Sequence, residues 1–227
     1  MKYQAVIFDL FGTLVPNLPS TIVQQILSRM AFILGATPDE FIRQWNNTFN
    51  EQMTGKLQGD AVIVQHICRQ IDLPVTNDKL LPSAEFWTET WGGVLRQIRT
   101  EAHEVIVELK SQGYKIGLLS NSSYDTANSW RSSALAQMFN VTVFSCLVGL
   151  MKPDPRIFQL VAEQLRVKPE ECIYVADGMD GELKAAARIG MMPVCIRFHD
   201  IDKNDPYLEQ WHGAIINTLD EVLGLVK

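Results

Sequence analysis

Four groups of polar residues each lie beside a short apolar run, and together they contain the side chains best suited to chemistry. Asp9 follows AVIF, Ser120 and Asn121 end KIGLLSN, Lys152 precedes PDPRIF, and Asp177 follows CIYVA. In an open parallel sheet, ligands bind beyond the carboxyl ends of the strands. We therefore expect these side chains to converge on one site.

The chemistry of this set is that of an anion held beside a metal ion. Asp9 and Asp177, with a backbone carbonyl and waters, would form an oxygen-rich site for Mg²⁺, which prefers few protein ligands plus phosphate oxygens. Lys152 supplies positive charge for an anionic substrate, and the Ser120 hydroxyl is a donor to the same oxygens. A carboxylate can also act as a nucleophile and form an aspartyl phosphate.

The turn after Asp9 is a second candidate for anion binding. Gly12 and Thr13 follow the acidic residue closely, and their backbone amides could point at a substrate. We expect both residues to contact substrate.

The elements that must position these residues alternate along the chain. Five runs are nearly continuously apolar, which is typical of strands buried on both faces of a parallel sheet: YQAVIF, YKIGLLS, VTVFSCLVG, CIYVA and MPVCIRF. Helical patterns lie between them from about residue 100 onward. NTLDEVLGLV, near the end, also contains the T-x-x-E signature of a capping box. The alternation predicts an α/β fold with a doubly wound, Rossmann-like parallel sheet.

Residues 17–95 contain no convincing strand and several helical patterns. TPDEFIRQWNNTFNEQM, for example, has Thr37 as a predicted cap and Glu40 to complete a capping box. We therefore expect residues 1–16 and 96–227 to form the α/β core and residues 17–95 to form an all-helical cap above its site. The aromatic residues of the cap are expected to build its own core more than a wall facing substrate: Trp45, Phe49, Phe86, Trp87 and Trp91.

Composition excludes several classes of partner. The net charge is -6 and no run of Lys and Arg is long enough to bind a phosphate backbone, so nucleic acid is not expected. No window approaches the roughly 20 apolar residues of a membrane span, and the N-terminal apolar run is too short for a signal peptide. The four cysteines form no C-x-x-C pair, which predicts buried free thiols in a reducing, cytoplasmic compartment. The sequence does not indicate an oligomeric state.

The four groups resemble, in order, the motifs of the haloacid dehalogenase (HAD) superfamily, which consists mostly of magnesium-dependent phosphatases. DLFGTL resembles the first motif, LLSN the second, KPDPRIF the third and YVADGMDGELKAAARIGM the fourth. The position of the insert resembles that of subclass I, which has a helical C1 cap. The resemblance implies that Asp9 is the nucleophile and that Ser120 and Asn121 lie at the phosphate. It also implies that Lys152 stabilises the nucleophile and the phosphoryl group, and that Asp177 binds the metal.

Two positions depart from the family pattern. Phosphatases of the family usually read D-x-D, and the second Asp protonates the leaving group; here that place is Phe11. The resemblance still assigns the backbone carbonyl of Phe11 to the metal, because that contact does not depend on the side chain. In the fourth motif Glu182 replaces a second Asp and is expected to support a metal-bound water, with Asp180 as a competing candidate.

Phe11 leaves alternative functions open. Loss of general acid catalysis removes typically 10²- to 10⁴-fold in rate, least for acidic leaving groups. We expect a magnesium-dependent hydrolase of small phosphorylated metabolites. A 2-haloacid dehalogenase also has an aromatic residue at this place, but such enzymes work without metal and lack the carboxylate of Asp177. Phosphonatase-like chemistry through Lys56, or a weakly active domain that binds a phosphorylated ligand or a partner, are further alternatives.

Overall fold

The computed structural model describes residues 2–179, 181–198 and 210–226. The strands of these ranges are β1 (Ala5–Phe8), β2 (Lys115–Ser120), β3 (Val141–Phe144), β4 (Cys172–Ala176), β5 (Met192–Ile196) and β6 (Ala214–Ile216). They form one sheet in the order β3-β2-β1-β4-β5-β6, and every adjacent pair is parallel. This arrangement confirms the predicted α/β fold. The strand order reverses at β1 and β4, which is where open sheets of this type bind ligands.

Helices account for most of the remaining described chain. They are α1 (Ser20–Leu34), α2 (Pro38–Asn47), α3 (Phe49–Met53), α4 (Asp60–Gln70), α5 (Asn77–Leu95), α6 (Ala102–Ser111), α7 (Tyr124–Trp130), α8 (Ser145–Val148), α9 (Pro155–Leu165), α10 (Glu182–Arg188) and α11 (Val222–Leu225). No helix in these ranges is long and apolar enough to cross a membrane.

The central strands are buried on both faces, as their apolar sequences predict. In β4, Ile173 and Val175 pack into a hydrophobic cluster on one face of the sheet, whereas Cys172, Tyr174 and Ala176 pack into a second cluster on the other face. Helices α9 and α10 contribute to this second cluster. The side chains of Tyr174 and of the two helices therefore share one side of the sheet.

Helices α1, α2, α4 and α5 surround a third hydrophobic cluster of their own, and the segment that contains them is called the cap below. Trp45 and Trp87 are buried in it, as expected, but Phe49 is exposed and Trp91 packs against both this cluster and that of the sheet. The chain enters the helical segment near residue 16 and leaves it near residue 96. These two connections lie side by side, because the amide of Arg99 donates to the carbonyl of Leu14 at 3.0 Å. The division into a core and a cap at residues 16 and 96 stays a prediction that this packing supports.

Local details differ from the sequence predictions in three places. The run VTVFSCLVG leaves the sheet at Phe144, and α8 follows it. Strand β6 was not predicted, because three residues are too few to show a pattern. Thr37 precedes α2, but its side chain makes no capping hydrogen bond, so the predicted box with Glu40 does not form. The T-x-x-E signature is confirmed, since Thr218 and Glu221 form a capping box. All four cysteines are buried thiols, as predicted.

Candidate active site

Asp9 lies immediately after β1, at the carboxyl edge of the sheet. Its backbone N–H donates to the carbonyl of Val175 at 2.9 Å, and the residue is only 5% exposed. The chain then turns back, because the carbonyl of Leu10 accepts the amides of the next residues, including Leu14 at 2.9 Å. The start of the first motif is therefore fixed between two neighbouring strands.

Gly12 lets this turn lie directly against Asp177. Its φ is +76°, a left-handed conformation that glycine adopts without strain, and a Cβ atom at this position would lie 1.9 Å from Asp177 Oδ2. Asp177 follows β4, is buried, and accepts a hydrogen bond from the amide of Met179 at 3.0 Å. A larger residue at Gly12 would displace the Asp177 carboxylate.

Lys152 joins the first and fourth motifs. Its ammonium nitrogen lies 2.5 Å from Asp9 Oδ1 and 2.5 Å from Glu182 Oε2, and all three side chains are almost fully buried. Asn121 fixes the backbone of the lysine, because its amide group donates to the Lys152 carbonyl at 3.0 Å and accepts the Lys152 N–H at 2.8 Å. Asn121 thus positions Lys152, and its contact with substrate stays a prediction.

Three buried carboxylates converge beside this lysine. Asp9, Asp177 and Glu182 each present an oxygen atom, and these atoms lie within 4.8 Å of one another. Because three carboxylates face one ammonium group, the ionised site has a surplus of two negative charges, which one divalent cation would balance. Carboxylate oxygens are also the ligands that Mg²⁺ prefers. The donor set therefore fits magnesium.

Asp180 lies outside the described residues, and the metal contact of the Phe11 carbonyl stays a prediction.

Burial of this surplus charge perturbs the acid–base properties of the site. Burial raises the pKa of Asp9 to about 7, although the Lys152 ammonium opposes the shift, and burial raises the pKa of Asp177 well above its usual range. Burial alone would lower the pKa of Lys152, but Asp9 and Glu182 raise it above its ordinary value. A divalent cation would lower the pKa of the carboxylates, since its charge favours their ionised form.

Ser120 ends β2 and lies in a row of buried hydroxyl groups. Its hydroxyl makes a long contact of 3.4 Å with the Asn121 carbonyl and accepts from Ser122 Oγ at 3.3 Å. The amide of Ser122 in turn donates to Ser145 Oγ at 3.1 Å. Because its own contact is weak, the Ser120 hydroxyl is available to a stronger acceptor such as a phosphoryl oxygen.

A family model for haloacid dehalogenase-like hydrolases matches residues 3–190. The chain belongs to this family. It is 30% identical over 204 residues to mouse acyl-CoA dehydrogenase family member 10, an alignment that covers 84% of this chain and 17% of the mouse protein. It is 34% identical over 95 residues to a glyceraldehyde 3-phosphate phosphatase of Methanopyrus kandleri, covering 40% of each chain. The alignments thus span 17% of the length of the mouse relative and 40% of that of the archaeal one.

One solved structure of a HAD-family enzyme, from Bacteroides thetaiotaomicron, was obtained in complex with magnesium and inorganic phosphate. It superposes on this chain with a TM-score of 0.66 at 21% identity, covering 89% of this chain and 98% of the other. This likeness extends to the fold. The family that this chain belongs to is one of hydrolases.

The HAD-type turn after Asp9 differs from the sequence expectation in one respect. The amide of Gly12 donates to the Val15 carbonyl at 2.8 Å, and that of Thr13 donates to the Leu10 carbonyl at 3.3 Å. Both amides are therefore used within the turn instead of pointing at an anion. The Thr13 hydroxyl lies 3.5 Å from Asp9 Oδ2, so Thr13 supports the nucleophile predicted by the HAD motif.

The side chain of Phe11 is directed toward the cap. Its ring meets that of Trp91 edge-on, with centroids 4.9 Å apart, and Trp91 meets Trp87 at 5.7 Å. The aromatic residue that replaces the HAD general acid therefore joins the motif turn to the hydrophobic interior of the cap. Lys56, by contrast, is exposed in the loop before α4, which gives a Schiff-base role no support.

The cap also contacts the helix that follows the second HAD motif. The amide of Asp60 donates to Asp125 Oδ2 at 2.6 Å, and the Thr88 hydroxyl donates to Asp60 Oδ2 at 2.7 Å. Asp60 is 2% exposed, and its Oδ1 atom has no hydrogen-bond partner among the described residues. Burial, and to a smaller extent the nearby Asp125, raise the pKa of Asp60 to about 6, while hydroxyl groups of Thr88 and Ser123 oppose the shift.

Sequence reasoning missed two polar residues of this region. Tyr174 lies within the apolar run CIYVA, yet its hydroxyl contacts both Lys152 and Glu182. The available signal was its place three residues before Asp177. Asp60 opens a helix, where an acidic residue is ordinary, so its burial was visible only after the cap had been placed on the core.

Proposed function

We propose that this chain is a magnesium-dependent phosphatase of small phosphorylated metabolites that acts through an aspartyl phosphate on Asp9. The single observation that carries the proposal is the convergence of Asp9, Asp177 and Glu182 oxygens within 4.8 Å, with the Lys152 ammonium against them. Two relatives support this chemistry: the archaeal protein is a glyceraldehyde 3-phosphate phosphatase, and the Bacteroides enzyme binds magnesium and inorganic phosphate. A cytoplasmic location stays a prediction.

In the proposed reaction the Asp9 carboxylate attacks phosphorus, the bond from phosphorus to the leaving oxygen breaks on the opposite side, and the leaving group departs as its anion. Lys152 holds Asp9 Oδ1 and so fixes the plane of the carboxylate. The Ser120 hydroxyl donates to a phosphoryl oxygen, and the positive charge of Lys152 beside Asp9 attracts the phosphoryl oxygens, where negative charge spreads in the transition state. Asp9, Asp177 and the Phe11 carbonyl would hold Mg²⁺, which when bound neutralises charge on the phosphoryl group. Water then hydrolyses the aspartyl phosphate.

The leaving group receives no proton from position 11, because phenylalanine has none to give. Its ring packs instead against the apolar face of the cap at Trp91. We therefore expect this enzyme to favour phosphates with acidic leaving groups, such as aryl, acyl and anhydride phosphates, over alkyl phosphates. General acid catalysis raises rates by about 10²- to 10⁴-fold, and we expect the rates for the two kinds of phosphate to differ by up to this factor.

A series of phosphate esters tests the proposal, with each ester assayed in Mg²⁺ and again in EDTA. We expect turnover only with Mg²⁺, with rates that fall steeply as the pKa of the leaving alcohol rises. Equal rates across the series would mean that another residue supplies the proton. Turnover that EDTA does not affect would exclude magnesium from the mechanism.

One observation favours a second function, that of a 2-haloacid dehalogenase. Phe11 is aromatic, as in that branch of the family, and halide leaves without a proton. The buried carboxylate of Asp177 argues against it, because that branch carries a neutral residue at this place. Release of halide from 2-haloacids in EDTA would establish this alternative. Saturable binding of a phosphorylated ligand with no product would indicate a binding protein instead.

A further inference from the structure

Tyr174 is a fully buried tyrosine whose hydroxyl lies among the charged groups of the site. Its hydroxyl donates to Glu182 Oε2 at 2.5 Å, and the Lys152 ammonium donates to the hydroxyl oxygen at 3.2 Å. Its ring meets Phe158 edge-on, with centroids 5.2 Å apart. The aromatic body is therefore packed under α9, and only the hydroxyl reaches the site.

The hydrogen bonds of Lys152 and Glu182 form a closed set. An ammonium group has three donors, and Lys152 has three acceptors at hydrogen-bond distance: Asp9, Glu182 and Tyr174. Glu182 Oε2 accepts from both Lys152 and Tyr174, while Oε1 accepts from the amide of Gly178 at 3.2 Å. Every donor of the lysine is thus used, and both oxygens of the glutamate are fixed.

We propose that Tyr174 is a positioning residue that holds Glu182 on Lys152 and so aims the lysine at Asp9. This inference rests on the proposed phosphatase function for its kinetic readout. It also explains why the fourth motif has Glu182 where the family often has aspartate, since one more methylene lets the carboxylate reach the lysine. In this proposal the main role of Glu182 is to hold the Lys152 ammonium, and support of a metal-bound water is its second role.

Removal of the Tyr174 hydroxyl should let the Lys152 ammonium move from its position beside Asp9, without removing any group that touches substrate. In Tyr174→Phe, Glu182 Oε2 loses a donor and Lys152 loses an acceptor inside a buried site. A misplacement of about 1 Å at a catalytic group lowers rates by about 100-fold, so we expect kcat to fall by about 10- to 100-fold. Substrate KM should change little, because Lys152 keeps its charge.

Tyr114→Phe is the matched control. Tyr114 is also buried and its hydroxyl also makes a 2.5 Å hydrogen bond, to the carbonyl of Val226, but it precedes β2 at the opposite edge of the sheet. Both variants should lower the melting temperature, whereas only Tyr174→Phe should lower kcat for an aryl phosphate in Mg²⁺. Equal kcat in the two variants would overturn the proposal.

A double-mutant cycle gives a readout that does not depend on turnover. Urea unfolding of Tyr174→Phe, Glu182→Gln and the double variant should show a coupling of about tenfold in the unfolding equilibrium constant, or about 1.4 kcal/mol. The cycle of Tyr114→Phe with Glu182→Gln should show none. Absence of the first coupling would overturn the proposal. If the wild-type chain shows no Mg²⁺-dependent turnover, the phosphatase function fails by that result, and the coupling alone decides the role of Tyr174.

Discussion

Asp60 is expected to weaken the folded chain above pH 6, and its replacement by asparagine should remove that effect. The residue belongs to α4, in the predicted cap, yet its backbone amide donates to Asp125 Oδ2 of α7, in the predicted core. Its carboxylate is buried beside this second acidic group, with one oxygen lacking a hydrogen bond among the described residues. An asparagine side chain at this position would fit the same space, and its oxygen would still accept from Thr88.

The magnitude follows from the pKa of Asp60, which rises from 3.8 to about 6 on folding. A shift of roughly two units at about 1.4 kcal/mol per unit corresponds to about 3 kcal/mol. The folded chain binds this proton more tightly than the unfolded chain does. The contribution of Asp60 to stability is therefore full below about pH 4, falls as the pH rises to 6, and stays at its lowest value above that.

Urea unfolding of the wild-type chain and of Asp60→Asn, at intervals from pH 4 to pH 8, measures this effect. We expect Asp60→Asn to be more stable by about 2 to 3 kcal/mol at pH 7.5 and indistinguishable from wild type at pH 4. Asp125→Asn, which removes the facing charge, should shift the transition of the wild-type Asp60 toward lower pH.

Asp154→Asn is a control of opposite sign. Asp154 is bound by Arg156, which lowers its pKa, so its contribution to stability is present above about pH 4 and lost below it. Its replacement should destabilise the chain at pH 7.5. A difference between Asp60→Asn and wild type that does not change with pH would refute the assignment of a raised pKa to Asp60.

Three further substitutions test the site itself. Asp9→Asn should lower kcat by at least about 10⁴-fold in a steady-state phosphatase assay, and retained turnover would exclude Asp9 as the nucleophile. Gly12→Ala should destabilise the chain by several kcal/mol more than Gly113→Ala, because both have positive φ but only Gly12 faces Asp177; urea unfolding compares the two, and equal losses would show that the close approach is unimportant. Phe11→Asp should raise the ratio of alkyl to aryl phosphate turnover, and an unchanged ratio would mean that a carboxyl group here cannot reach the leaving oxygen.

The sequence predicted those parts of the molecule that depend on local pattern. Apolar runs identified β1, β2, β4 and β5, because strands buried on both faces must be apolar along their whole length. Polar residues after β1 and β4 indicated Asp9 and Asp177, and Lys152 was indicated by its place after the run VTVFSCLVG, since parallel strands bring their carboxyl ends to one edge. Their side chains do lie together at that edge.

The remaining features depend on contacts between distant segments. Tyrosine is an ordinary strand residue, so nothing in CIYVA distinguishes Tyr174 from a core residue until the segment before α9 brings Lys152, and α10 brings Glu182, to its hydroxyl. The occupied amides of Gly12 and Thr13 depend on how the turn closes, which composition does not specify. Asp60 is polar by sequence and buried only because the cap lies against α7.

Phe11 is central both to the proposed absence of a general acid and to the aromatic contact between the motif turn and the cap. A carboxyl group at position 11 would have to be desolvated beside the indole of Trp91, whereas a phenyl ring gains an edge-to-face contact there. Phe11, which cannot transfer a proton, therefore stabilises the packing of the cap against the motif turn. In the proposed mechanism the apolar cover shields the phosphoryl group from water, and the leaving group must depart as a weak base. The packing of the cap on the motif turn and the proposed preference for acidic leaving groups would thus have one physical origin, and Phe11→Asp should weaken both together.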